Sequence, residues 1–514
     1  MDALKTLVME QSAQIVEITA EAAHYKARLE YLEEQIRLMR HKRFGASSEK
    51  SSADQLNLFD EAELSALDAD NEVPDEADDS LNEADDTSTG KPKRRARRKP
   101  LPPELPRIRE EHDLTDSEKV CSCGCLMDKI GEEISEQLEI IPAKVQVIQH
   151  VRFKYACRDC EEGIKTAPLP PQPIPKSNAA PGLLAYIIIA KFMDALPLYR
   201  QETIFKRLGV FLPRSTMARW MIQASILIQP LINLMRDEVN GYDIQHMDET
   251  RIQVLKEDGR AAASQSQIWV QKGGPPDKMV ILYHYDISRG RSVIERLLVD
   301  FSGYLQTDGY SAYSRVRETI FQVGCWAHAR RYFDEAVKAQ GKKAAKGGKA
   351  RAGLSKIQKL YAIEKRIADQ SPEERKRVRQ EQAKPILDEM EIWLNKSLLE
   401  VPPASLTGKA LVYLRNQWVS LQRYLEDGRL SIDNNSAERA IKPFVIGRKN
   451  WLFADTPKGA HASAALYSLI ETAKANGLEP YAYLRHVFKE LPKAKSLEDV
   501  ERLLPYNVDV KQFT

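Results

Sequence analysis

The chain has 514 residues, 43% of them hydrophobic, and a formal net charge of +2. At roughly 100–200 residues per domain, that length excludes a single core and predicts at least three folded units. The small net charge hides segregation, because 60–86 holds thirteen acidic and no basic residues while 91–99 holds seven basic residues in nine.

No apolar signal segment opens the chain, and its longest apolar run, 183–190, is far below the roughly 20 residues that span a bilayer. A soluble, intracellular protein with no membrane partner is expected. At 1–45, Leu4, Val8, Ile15, Ile18, Ala22, Tyr25, Leu29, Leu32, Ile36 and Met39 recur in alternating steps of four and three, broken only by Gln11. That heptad pattern predicts a coiled coil and a homo-oligomer formed through it; the alternative is an amphipathic helix packed on its own protein. Residues 46–107 read as a disordered linker, acidic and then basic, whose KPKRRARRKP run either contacts DNA phosphates or is a solvated tail.

Five of the six cysteines fall within 121–160. Near-alternating strand patterns between two cysteine clusters predict a β-rich module at 108–167, and four thiolates in tetrahedral array suit structural zinc. Cys157 and Cys160 form a Cys-x-x-Cys knuckle; Cys121 and Cys123 are preferred as the other pair, with Cys125 to spare. A Pro-rich connector leads to a helical region at 180–238 of helix-turn-helix proportions, in which Ser215 is an expected N-cap. Arg214, Thr216 and Arg219 stand where base-reading residues would sit, although most helical pairs are structural.

From 240 the texture changes to strand-like runs (GYDIQHMDETRIQVL, QIWVQKG, KMVILYHYDIS), a helix near 291–299 and a further strand, GYLQTDGYSAY, which together predict an α/β core with a mixed sheet. Asp248 and Asp308 are expected at strand ends. Either alone is ordinary turn chemistry, but paired hard oxygen ligands suit magnesium, and two such ions about 4 Å apart serve phosphodiester chemistry. In DNNSAERAIKPFVIGRKNW, Asn435 and Glu438 fit a capping box, and Pro443 predicts a short first helix. Arg439, Lys442, Arg448 and Lys449 suit phosphates; Trp451 reads either as core or as a face for an unpaired base, and Phe453 as core.

The motifs MDET, LQTDGYSAY, GCWAHARRYF and DNNSAERAIKPFVIGRKNWLF resemble the insertion-sequence sixty-six family of bacterial transposases, as do RHKRFGASSEK, the cysteine module and YSLIETAKANGLEPYAYL. The resemblance implies a ribonuclease-H-like α/β core with an Asp-Asp-Glu triad of Asp248, Asp308 and Glu438, holding two magnesium or manganese ions. It implies a multidomain α+β protein: the coiled coil, zinc module and helix-turn-helix-like region, the core at 240–333, a helical insertion at 334–428, the rest of the core with Glu438 at 429–480, and a C-terminal segment at 481–514. The spacings 308 − 248 = 60 and 438 − 308 = 130 agree with an insertion, and 338–384 carries fifteen basic against five acidic residues.

The Cys325-Trp326-Ala327-His328 element is half a zinc site by composition and otherwise a strand-to-helix junction. The resemblance implies a bacterial cytoplasmic, nucleoid-associated protein and, at this element, either DNA positioning, with His328 approaching a phosphate or the leaving oxygen, or local architecture. The implied function is DNA transposition: strand cleavage at element ends, then attack of the freed 3′-hydroxyl on target DNA, with companion proteins from the same element as possible partners. The rivals are a catalytically silent, transposase-derived DNA-binding regulator and a coiled-coil adaptor.

Overall fold

The structure is a computed structural model and describes positions scattered over 11–29, then 31–40, 145–156, 164–314, 316–344 and 348–509. The linker at 46–107 and all five cysteines of the expected zinc module lie outside the described residues. Two compact units are distinguished, 72–149 and the remainder of the chain; of the first only 145–149 are described, so every described helix and strand belongs to the second.

Two short strands, β1 (Lys154–Ala156) and β2 (Ile164–Thr166), pair antiparallel on either side of the undescribed 157–163. Four helices come next: α1 (Pro181–Phe192), α2 (Leu198–Arg207), α3 (Arg214–Leu227) and α4 (Gln229–Gly241). Gly209, at φ +78°, turns the chain between α2 and α3, a conformation open to glycine because it has no Cβ. Pro213 precedes α3, so Ser215 lies inside the helix and caps nothing.

The sheet comprises β3 (Ile244–Gln253), β4 (Gln265–Gly273), β5 (Val280–Asp286), β6 (Gly303–Gln306) and β7 (Ile320–Val323), in the order β5-β4-β3-β6-β7. β3, β4 and β5 are antiparallel neighbours. α5 (Arg291–Leu297) carries the chain back so that β6 joins β3 in parallel and β7 joins β6 in parallel. This is the mixed sheet expected of the sequence, with both faces covered. On one face Met247, Trp269, Leu305 and Tyr313 pack with α5.

A helical segment comes after β7: α6 (Trp326–Ala344), α7 (Lys349–Arg366), α8 (Pro372–Val378), a π turn at Arg379–Ala383, α9 (Lys384–Glu400), α10 (Leu406–Asn416) and α11 (Trp418–Gln422). Its core contains the fully buried Arg379. The guanidinium donates to the Glu364 carboxylate at 2.9 and 2.7 Å and to the carbonyls of Tyr424, Asp427 and Leu430 at 2.8–2.9 Å.

α12 (Asn435–Trp451), α13 (Pro457–Ala475), α14 (Pro480–Glu490) and α15 (Leu497–Glu501) complete the chain. α13 closes the outer edge of β5, where Ser468 Oγ accepts from the Tyr283 N–H and Thr472 Oγ1 from that of Ile281; capping an edge strand in this way blocks pairing with another chain. α12 runs through Pro443 for 17 residues, longer than the sequence suggested. In the turn that the proline disrupts, the Tyr283 hydroxyl donates to the Ala440 carbonyl, supplying a partner from outside the helix.

Every described position within 11–40 is helical. The described seam residues Ile15, Ile18, Tyr25, Leu29, Leu32, Ile36 and Met39 are exposed, whereas Leu38, off the seam, is buried in the core of the helical segment. Glu34 accepts from the Leu406 N–H at 3.0 Å, and Lys409 Nζ donates to the Tyr31 hydroxyl at 2.7 Å. Among the described residues no helix is long and apolar enough to cross a membrane.

Replacing Arg379 by Leu would leave three buried carbonyls without their donor and Glu364 with only Arg375, 3.7 Å away. Removing one partner of a buried pair typically destabilises by about 3–5 kcal/mol. Chemical denaturation of Arg379→Leu should show a loss of that size; wild-type stability would disprove a central role for this cluster.

Candidate active site

β3 and β6 run parallel with His246 opposite Gln306. Asp248 stands two residues beyond the first and Asp308 two beyond the second, so both carboxylates rise from one level of the sheet. Asp248 is nevertheless mid-strand, opposite Val270 of β4, because pairing with β4 continues to Gln253 after β6 has ended. The expectation of a strand end there is corrected.

Asp308 opens a tight turn in which its Oδ1 accepts from the Tyr310 N–H at 2.8 Å. From α10 and the residue after it, the Tyr413 hydroxyl donates to the Asp308 carbonyl at 3.0 Å and Gln417 Nε2 to the Gly309 carbonyl at 3.3 Å. Gly309 has φ +87°, and a Cβ there would stand 3.0 Å from the Gln417 side chain, so both conformation and space call for glycine.

Glu438 lies in the first turn of α12, but the expected capping box is absent. Asn434 precedes the helix and no side chain caps it. The fully buried Asn434 side chain instead reaches β3, where Nδ2 donates to the Met247 carbonyl at 2.9 Å and Oδ1 lies 3.2 Å from His246 Nδ1. The Asn434 N–H donates to Cys325 Sγ at 3.2 Å. Asp433 holds Asn435 through its N–H and side-chain amide, and accepts from the Tyr361 hydroxyl at 3.0 Å.

Burial raises the Asp248 pKa well above the usual carboxylate range, reinforced by the charges of Glu249, Asp308 and Glu438. Glu438 is pushed up to about 7, first by burial and also by Asp433 and Asp308, against Arg331 and Arg439. The charges of Asp308 and Glu438 therefore act on Asp248, and that of Asp308 on Glu438, although among the described residues no hydrogen bond joins the three. Burial, with Arg331, lowers His328 to about 4, so its ring is neutral at neutral pH. His328 Nδ1 lies 3.8 Å from Glu438 Oε1, and neither buried atom has a hydrogen-bond partner among the described residues. Clustered carboxylates with an unpartnered buried oxygen fit a divalent cation, whose charge would meet theirs.

Cys325 and Trp326 are fully buried at the junction of β7 and α6, as a strand-to-helix junction requires. Donor atoms of Cys325, His328 and Glu438 lie within 4.8 Å of one another, so the half-site read from the sequence gains a third donor.

Two contributors escaped the sequence reading. Glu249, its side chain 1% exposed, accepts from the Tyr313 hydroxyl at 2.6 Å and from Arg289 Nε at 2.7 Å. The Arg289 guanidinium lies 3.9 Å from the centroid of Tyr310, so this cluster braces the Asp308 turn from the side opposite α10. Asn434 is the other. The acidic neighbour in MDET and the first of the twin asparagines were the available signals.

Arg214 and Arg219 are exposed in the first turns of α3, with Thr216 half-buried. Arg439 and Lys449 are exposed and Lys442 is half-buried; Arg448 donates to Thr250 Oγ1 at 3.2 Å. Trp451 packs edge-on to Phe444 at 5.3 Å and under the Lys191 ammonium, whereas Phe453 is exposed, contrary to its expected place in the core.

The family described as "Transposase IS66 family" matches residues 176–462, the "zinc-finger binding domain of transposase IS66" 118–161, the "IS66 C-terminal element" 468–506, and "Transposase C of IS166 homeodomain" 31–109. Similar proteins from Sinorhizobium fredii (strain NBRC 101917 / NGR234) include uncharacterized protein y4qI, 32% identical over 99% of this chain and 97% of its own length. Uncharacterized protein y4jD is 33% identical over 79% of this chain and 81% of its own.

A carboxyl whose pKa is raised by folding adds stability below its unfolded pKa and loses that contribution as pH rises through the folded value. Without added divalent cation, the thermal midpoint should fall as pH rises from about 4.5, the ordinary glutamate value, to about 7, where Glu438 ionises, and level off above that. Glu438→Gln should flatten that fall by a few degrees, at roughly 2–4 °C for each kcal/mol. Equal declines in both proteins would exclude Glu438 as its source.

Proposed function

The chain belongs to the IS66 family of transposases, and from that premise we propose that it cuts DNA at the ends of its element and joins the freed 3′-hydroxyl to target DNA. Asp248, Asp308 and Glu438 are the carboxylates of the reaction centre. The observation that carries this reading is the register of β3 and β6, which brings Asp248 and Asp308 to one level of the sheet, with the charges of Asp308 and Glu438 acting on the buried Asp248. Three carboxylates crowded without a balancing ion pair on Asp248 are poor design for stability alone.

Asp248 and Asp308, on neighbouring strands, and Glu438, on α12, would hold two magnesium or manganese ions. Bound there, such ions supply Lewis acidity to the attacking water or hydroxyl and to the leaving oxygen. The protein's own part is to hold these ligands still: Asn434 ties α12 to β3, while Tyr413, Gln417 and Glu249 brace the Asp308 turn. His328, neutral beside Glu438, can hydrogen-bond a phosphate or leaving oxygen. Arg439, Lys442, Arg448 and Lys449 neutralise DNA phosphates, and Arg214, Thr216 and Arg219 contact DNA from α3.

The strand order β5-β4-β3-β6-β7, with three antiparallel strands followed by two parallel ones, supports a ribonuclease-H-like core. The helices between Asp308 and Glu438 support an insertion at 334–428. The match of 118–161 to a zinc-finger domain supports structural zinc on Cys121, Cys123, Cys157 and Cys160. The exposed seam of the N-terminal helix supports self-association through a coiled coil at 1–45.

Asp308→Asn should abolish magnesium-dependent cleavage of labelled DNA taken from the borders of the element, while mobility-shift affinity for that DNA stays within a few-fold of wild type. Cleavage at the wild-type rate would sink the assignment. Removal of 1–45 should move the protein to a smaller species in gel filtration coupled to light scattering; an unchanged mass would refute the N-terminal helix as the oligomer contact.

A further inference from the structure

At the C-terminal end of α12 the backbone takes an unusual path. Leu452 has φ +68° and ψ −54°, although a side chain disfavours positive φ, and its side chain is 63% exposed. The next residue, Phe453, is 42% exposed. Trp451, just before them, turns inward onto Phe444, so the chain reverses between a half-buried aromatic and two exposed apolar side chains.

The surroundings hold that reversal in place. Ala454 N–H donates to the Gln253 carbonyl, Leu255 N–H to the Ala454 carbonyl and Lys256 N–H to the Asp455 carbonyl, each at 3.0 Å. The segment after Leu452 is thus stitched to the end of β3, the strand that carries Asp248. Strain at an exposed leucine persists only where the neighbouring structure enforces it, and such positions cluster at ligand contacts.

Leu452 forms the lip of an open groove of about 320 Å³ lined by Arg251, Gln253, Gln265, Arg448 and Lys449. Three lining residues are cationic, two carry amides and none is acidic. Among the described residues Arg251 and Lys449 have no carboxylate in ion-pair range, and the half-buried Arg448 is met only by the Thr250 hydroxyl. Thr250 is two residues beyond Asp248, about 7 Å along the strand at roughly 3.3 Å per residue. The groove therefore comes nearest to Asp248 through Arg448 at Thr250, whereas Arg251 and Gln253 alternate to the opposite face of β3.

We propose that this groove holds a DNA strand whose bases are unpaired next to the reaction centre. Arg251, Arg448 and Lys449 take its phosphates, and Leu452 with Phe453 forms an apolar wedge against which an unstacked base rests. The charge of the lining selects a polyanion. The adjoining exposed ring and leucine suit the face of a base, a combination that recurs in proteins that grip single strands or part base steps. This rests on the transposase reading and assigns to Leu452–Phe453 the stacking role that the sequence offered to Trp451.

The test uses the full-length protein and fluorescence anisotropy with two probes, a fluorescein-labelled oligo-dT of twenty nucleotides and a fully paired duplex of twenty base pairs. Because both side chains are exposed, Phe453→Ala and Leu452→Ala should unfold at the wild-type temperature. Phe453→Ala should weaken oligo-dT binding about tenfold, as loss of one stacked base does, with duplex affinity held within twofold. Lys449→Ala and Arg251→Ala should weaken both probes and each lower the salt-dependence slope by about one.

Wild-type binding of both probes by the Phe453 and Leu452 variants would overturn the wedge and leave the transposase reading standing. Equal weakening of both probes by Phe453→Ala would overturn the preference for unpaired bases. Unchanged affinity and salt slope in the Arg251 and Lys449 variants would overturn the groove as a phosphate track. A wild-type protein that binds neither probe and does not cleave element DNA would instead remove the premise.

Discussion

The buried amide of Asn434 is the constraint on which the site depends. It joins the start of α12 to the Met247 carbonyl, 187 residues earlier in the chain, and its backbone N–H reaches Cys325 at the head of α6. One residue thereby fixes β3, α6 and α12 relative to one another, and these elements carry Asp248, His328 and Glu438. Leaving the Met247 carbonyl unpaired would cost about 1–3 kcal/mol. The greater effect would be to free α12 to yield to the repulsion between its glutamate and the two aspartates.

That repulsion runs against the fold. Burial and neighbouring charge raise the pKa of both Asp248 and Glu438, so each destabilises the cation-free chain once ionised. Opposing it are the apolar interiors on both sides of the sheet, the closed edge of β5 and the braced turn at Asp308. Tyr413 and Gln417 hold that turn from the helical segment, and the Glu249–Tyr313–Arg289 group holds it from the sheet. A carboxylate gripped from both sides loses little freedom when it meets a cation, which is what preorganisation of a site requires.

Legibility in the sequence tracked the range of the interactions concerned. The mixed sheet, the helix after β5 and the turn at Asp308-Gly309 depend on alternation and local turn chemistry, and all could be read in short windows. The extent of β3 could not, because its continuation beyond Asp248 is decided by pairing with β4. The capping box at Asn435 and Glu438 satisfied a local rule that tertiary contacts overrode: Asn434 served β3, and Glu438 lies against His328. Pro443 looked like a helix terminator because its effect was judged without the hydroxyl that Tyr283 brings from β5. Phe453, expected in the core, is exposed, and Trp451, left open between core and surface, is half-buried against Phe444, since Leu452 between them takes a positive φ that turns the chain.

The clasp between Asn434 and β3 also orders events in time. Asp248 and Asp308 leave the ribosome long before Glu438, with 438 − 248 = 190 residues between first and last. From Asp308 to Glu438 there are 438 − 308 = 130 residues, so at roughly 5–20 residues per second the chain is made for about 7–26 s with two carboxylates in place and no third. A chain that stops short of residue 434 carries both aspartates but neither the clasp nor Glu438, so the arrangement around β3 is set only when the last part of the sequence has been made.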